Sequence, residues 1–136
     1  MFRQLDSCPR QGSFTLAASD SLAAKCNAPA DCSGIYLVWA DTADGTALIY
    51  VGCSGRQEAD GRIHHRQGGI RDRLVNGKQF GQARRKSWPL KMAELGFTRL
   101  TVRWYDTAQA DPHAVERAML DEYKATHHCQ PLWNKI

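Results

Sequence analysis

Two tyrosines raise the question of chemistry in this 136-residue chain. Tyr36 and Tyr50 each stand beside glycine-flanked apolar residues in the stretch GIYLVWADTADGTALIYVG, residues 34–52. A phenol both donates and accepts a hydrogen bond, and as a phenolate it can take a proton from water. With a solution pKa of about 10 it does so near neutrality only beside a cation or a metal-bound water. Cations are close in sequence. Residues 62–91 hold Arg62, Arg66, Arg71, Arg73, Lys78, Arg84, Arg85, Lys86 and Lys91 against Asp72 alone, in a chain of formal net charge +4. Such a local excess is the electrostatic footprint of a polyanion partner, because each neutralised phosphate releases counterions. A solvated basic face has an equal claim on charge alone.

The elements that position these groups follow from the hydrophobic pattern. The length suits a single domain with one core. Residues 34–40 and 47–52 are apolar without alternation, which predicts strands buried on both faces; the first is the better candidate for the centre of the sheet. Residues 98–105 alternate strictly, with Leu100, Val102 and Trp104 on one face, and predict an antiparallel or edge strand. Residues 53–69 carry four glycines and no period, and are expected to form a loop. A short helix is expected over residues 70–76, ending at Gly77. A second is expected to open at Ser87-Trp88-Pro89 and end at Gly96. A third runs from Asp111-Pro112 to about residue 126. The expected architecture is α/β, a small antiparallel sheet of about three strands flanked by helices. Residues 1–32 form an N-terminal extension packed on a domain of residues 33–136.

Five cysteines, with no C-x-x-C pair, indicate neither a disulfide framework nor a zinc knuckle. They fit free thiols in a reducing compartment. His127 and His128 with a distant cysteine offer a zinc-stabilised interaction domain, to which ligand spacing gives little support. There is no run of about 18 apolar residues that would span a membrane and no apolar core of a secretory signal at the N-terminus, so a cytoplasmic location is expected.

Strand register decides whether the two phenols cooperate. A loop centred on Ala43 places Tyr36 directly across from Tyr50 and on the same face, whereas a two-residue turn on Asp44-Gly45 sends them to opposite faces.

The paired tripeptides Gly34-Ile35-Tyr36 and Tyr50-Val51-Gly52 resemble the signature of the GIY-YIG nuclease superfamily, and the resemblance extends over residues 32–136. It matches the superfamily's helical arginine at Arg73, followed by Leu74, with Arg71 as the competing register. Its glutamate falls at Glu116 within His113-Ala-Val-Glu116-Arg, and its asparagine at Asn134 after Pro131. What the resemblance implies is divalent-metal-dependent hydrolysis of phosphodiester bonds, with DNA as the expected polymer. In that scheme Tyr36, Tyr50, Arg73, Glu116 and Asn134 are the catalytic set. One phenol is the general base and the other positions water or phosphate.

The residue types suit those roles. A phosphodiester transition state needs charge neutralisation, which an arginine and a metal ion supply. Glu116 is a hard oxygen ligand for Mg²⁺ or Mn²⁺, and Mg²⁺ commonly takes only one or two carboxylates. Asn134 would either bond phosphate or pin the tail to the site.

Arg62, Arg66, Arg71, Lys78, Arg84, Arg85 and Lys86 are the expected nucleic-acid surface, with Phe80 and Trp88 available to stack on bases. The chain departs from the superfamily in a longer spacing between tripeptides, in an insertion before Arg73, and at Gly77, where many members carry a histidine. His64 or His65 is the candidate replacement. A catalytic chain of this size would act alone, as a homodimer or within a larger assembly. The alternative reading is a nucleic-acid-binding module that keeps the fold without hydrolysis.

Overall fold

A computed structural model describes residues 2–136. In chain order the regular elements are β1 (Gln11–Leu16), α1 (Leu22–Lys25), β2 (Gly34–Thr42), β3 (Gly45–Ser54), β4 (Arg56–Gln57), β5 (Ile63–His64), α2 (Gly69–Asn76), β6 (Lys78–Gln79), β7 (Gln82–Ala83), α3 (Arg84–Leu95), β8 (Arg99–Asp106) and α4 (Pro112–His127). Short 3-10 turns cover Arg3–Ser7 and Leu132–Asn134. The class is α/β, with a four-stranded antiparallel sheet in the order β1-β8-β2-β3. No helix among the described residues is long and apolar enough to cross a membrane.

The fourth strand corrects the expectation of three. Residues 11–16 are not an extension laid on the domain: they pair along β8, with Phe14 opposite Val102 and Leu16 opposite Leu100. β8 is therefore interior. Its alternation reflects a solvent-leaning face rather than an edge position.

The unbroken apolar runs of β2 and β3 are buried on both sides, as their patterning predicts. Ile35, Leu37, Leu48 and Val51 pack with Phe2, Leu5 and Met119, the last from the inner stripe of α4. Tyr36, Val38, Ala40 and Ile49 pack on the other side with Ile70 and Leu74 of α2 and Trp88 and Met92 of α3. α4 begins as expected: Asp111 caps it by accepting from the His113 amide at 3.1 Å, with Pro112 in the first turn.

α3 begins three residues earlier than Ser87, at Arg84. A two-residue hairpin turn at Phe80-Gly81, with φ of 57° and 85°, folds β6 onto β7 and delivers the chain into the helix. Pro89 consequently lies inside the helix, where its nitrogen cannot donate to a carbonyl one turn back. The glycine-rich segment after β3 also holds a small hairpin, β4 with β5.

Candidate active site

The hairpin of β2 and β3 follows neither expected register. Its turn is Ala43-Asp44, with Thr42 opposite Gly45 and Trp39 opposite Leu48. Continued unchanged, that register would set Tyr50 across from Leu37 and on the face away from Tyr36. A β-bulge prevents this: Ile49 has no partner, and beyond it Tyr50 lies opposite Val38 and Tyr36 opposite Gly52. One extra residue thus returns both phenols to a common face, as diagonal rather than direct neighbours, with ring centroids 6.2 Å apart. Gly52 has a steric reason to be glycine. A Cβ there would lie 2.5 Å from the Tyr36 ring and 2.7 Å from its hydroxyl oxygen. At Gly34 a Cβ would overlap the carbonyl oxygen of Tyr105.

Behind the phenols lies Arg84, only 1% exposed. Its Nη1 donates to Tyr36 Oη at 2.6 Å and to the Arg73 carbonyl at 2.8 Å. Nη2 donates to Tyr50 Oη at 3.1 Å and Nε to Gln79 Oε1 at 3.0 Å. The guanidinium lies 5.2, 5.4 and 5.7 Å from the ring centroids of Tyr36, Tyr50 and Trp88, so aromatic faces and neutral oxygens compensate the buried charge. It also stands where a residue-77 side chain would project, since a Cβ on Gly77 would come within 3.1 Å of Nη1. Of the two histidines expected to stand in for one at position 77, His64 lines the open cleft beside Tyr50 and His65 does not. His65 bonds Ser33 at 2.6 Å and His64 lies 3.5 Å from Glu58.

The two phenols differ in environment. Tyr36 is fully buried, and burial pushes its hydroxyl up to about 12 against the opposing pull of Arg84. It remains a neutral phenol at physiological pH. Tyr50 lines an open cleft of about 560 Å³ together with Cys53, His64, Arg66, Arg73, His113 and Glu116. The Arg73 guanidinium has no hydrogen-bond or ion-pair partner there among the described residues. Cys53 Sγ lies 3.5 Å from His113 Nδ1, and burial, then the Glu116 carboxylate, hold the Cys53 thiol in its protonated form.

Asn134 does not face this cleft. Its carboxamide accepts from Val51 N–H and donates to the Val51 carbonyl, both at 3.0 Å, so it pairs with the open edge of β3 as a further strand would. It pins the tail immediately beside Tyr50. Trp133 thereby enters an aromatic cluster with Phe80, Trp88 and Phe97.

The expected nucleic-acid surface is corrected in three places. Arg84 is in the core. Arg71 turns inward, donating to the carbonyls of Ala23 and Cys26 at 2.7 and 2.6 Å and closing the C-terminal end of α1, so that of the two candidate arginines it is Arg73 that lines the cleft. Trp88 is fully buried and offers no face to a base, while Phe80 is half-buried, 5.2 Å from Trp133 with the ring planes near perpendicular. Arg62 pairs with Asp60 and Arg66 with Asp72, while Lys78, Arg85 and Lys86 are exposed. His127 stacks on Tyr123 rather than joining a metal cluster.

Sequence reasoning missed Cys53 and His113, although His113 lies one helical turn before Glu116 and Cys53 directly follows the second tripeptide. It also gave Arg84 the wrong environment, because a run of three basic residues reads as surface. Compared with known proteins, the chain matches no family model, no curated protein and no solved structure.

Proposed function

We propose that the chain is a divalent-metal-dependent phosphodiesterase acting on nucleic acid, with the GIY-YIG arrangement of residues and DNA as its polymer. One observation carries the reading. Tyr50 from β3, Arg73 from α2 and Glu116 from α4 line a single cleft, with Tyr36 bonded behind them through Arg84.

Each side chain has a task in this scheme. Arg73, half-buried and unpaired, binds a non-bridging phosphate oxygen. The Tyr50 oxygen already accepts from Arg84, a cationic donor that favours the phenolate and fixes the direction of its remaining lone pairs toward the attacking water. Reacting as the phenolate, Tyr50 takes a proton from the water as its oxygen bonds to phosphorus; the ester P–O bond opposite breaks, and the departing alkoxide takes a proton from solvent. Tyr36 holds Arg84, and Asn134 holds the edge of β3. Glu116, a carboxylate facing the cleft, suits Mg²⁺ or Mn²⁺, which when bound would supply charge neutralisation at the phosphate.

A second reading, binding without hydrolysis, is favoured by the thiol and imidazole beside Glu116, a donor set unlike the all-oxygen shell of magnesium. The two are separated by incubating single-stranded, double-stranded and branched DNA, and matching RNA, with the protein in Mg²⁺ or in EDTA. Metal-dependent cutting of any substrate supports the phosphodiesterase. Retention of substrate with no cutting in any metal supports the binding module.

A further inference from the structure

Cys53 at the end of β3 and His113 and Glu116 on one face of α4 each offer a donor atom within 4.8 Å of the other two. The thiol and imidazole lie 3.5 Å apart, between Sγ and Nδ1. A tetrahedral ion with Zn–S of about 2.3 Å and Zn–N of about 2.05 Å sets those two atoms about 3.6 Å apart. That edge of a zinc polyhedron is therefore already formed. The three-residue step from His113 to Glu116 brings the carboxylate onto the same side of the helix, so a side-chain rotation completes the third position.

We propose that Cys53, His113 and Glu116 bind a thiophilic divalent ion of the zinc class, with the fourth position left to water. Thiolate and imidazole donors select zinc or cobalt over magnesium, which prefers six oxygens. Three protein ligands with one open position is the pattern of an accessible zinc site rather than a closed structural one. The site stands on its own geometry. Its consequence rests on the proposed function: an ion held here engages Glu116 and withdraws it from Mg²⁺, so zinc inhibits hydrolysis.

Cobalt(II) titration of the full chain, without nucleic acid, tests the site directly. One equivalent is expected to produce a near-ultraviolet thiolate-to-cobalt charge-transfer band and the intense visible bands of four-coordinate cobalt. Cys53→Ser should abolish the charge-transfer band. His113→Ala, at an exposed side chain, should weaken binding at least about tenfold, the order of loss seen when part of a metal's ligand environment is removed. Cys129→Ser and His127→Ala should change neither. Absence of the band in the wild type, or its survival in Cys53→Ser, overturns the site. Zinc is then added to Mg²⁺-supported cleavage, where inhibition should be relieved in His113→Ala. A protein that shows the band but cuts nothing keeps the site and removes the nuclease reading. One that cuts but shows no band does the reverse.

Discussion

Replacing Arg84 by methionine probes the centre of the structure. The side chain is 1% exposed and makes four hydrogen bonds: to Tyr36 Oη, Tyr50 Oη, the Arg73 carbonyl and Gln79 Oε1. Bonds from a charged donor are worth roughly 1.5–3 kcal/mol each, so four of them amount to about 6–12 kcal/mol. Against this, the buried guanidinium has no carboxylate partner, and removing it recovers a desolvation cost of several kcal/mol. Methionine also fills part of the volume. The difference leaves a loss of about 2–4 kcal/mol, which for a chain of this size lowers Tm by about 6–14 °C. Thermal unfolding followed by circular dichroism reads this directly. Arg84→Met and Tyr36→Phe should also couple in a double-mutant cycle, by about 1–2 kcal/mol. A variant as stable as the parent, or more so, would refute the reasoning by showing that the buried charge costs as much as its bonds return.

Four further outcomes are expected. Tyr36 is protonated in the fold up to about pH 12 while an unfolded tyrosine ionises near pH 10. The unfolded state therefore sheds the proton first, and stability falls as pH rises from about 10 to about 12, by about 3 kcal/mol in all; urea melts across that range should lose this component of the slope in Tyr36→Phe. Gly52→Ala pushes a methyl into the Tyr36 ring and should cost about 1–3 kcal/mol in the same melts. Asn134→Ala strips the Val51 amide and carbonyl of their partner and should cost about 1–3 kcal/mol, with faster amide exchange at Val51. Arg73→Ala, which breaks no ion pair among the described residues, should leave Tm within about 2 °C while lowering kcat/KM at least about a hundredfold.

Much of this arrangement is legible in the sequence because local signals carry it. The unbroken apolar runs marked β2 and β3, Asp111-Pro112 marked the start of α4, and Gly77 and Gly96 marked the ends of α2 and α3. β1 was also within reach, since Phe14 and Leu16 alternate with polar neighbours, but two apolar residues after a patternless start form a weak signal. The bulge at Ile49 was out of reach, because nothing in an apolar run identifies the residue that will go unpaired. It nevertheless decides which face Tyr50 takes. Arg84 was hidden differently. Charge places arginine on the surface by default, and only the three-dimensional meeting of two phenols, the Arg73 carbonyl and Gln79 supplies the partners that bring it inside.

The central claim is that Tyr50, Arg73 and Glu116 form one hydrolytic site. Single-turnover cleavage of the substrate identified in the panel, with binding measured in parallel, tests it for Tyr50→Phe and Glu116→Gln. The expected result is a fall of at least about a hundredfold in the cleavage rate of each, with substrate affinity held within about threefold. Cleavage at the parental rate in either variant, or loss of rate only through loss of binding, would contradict it.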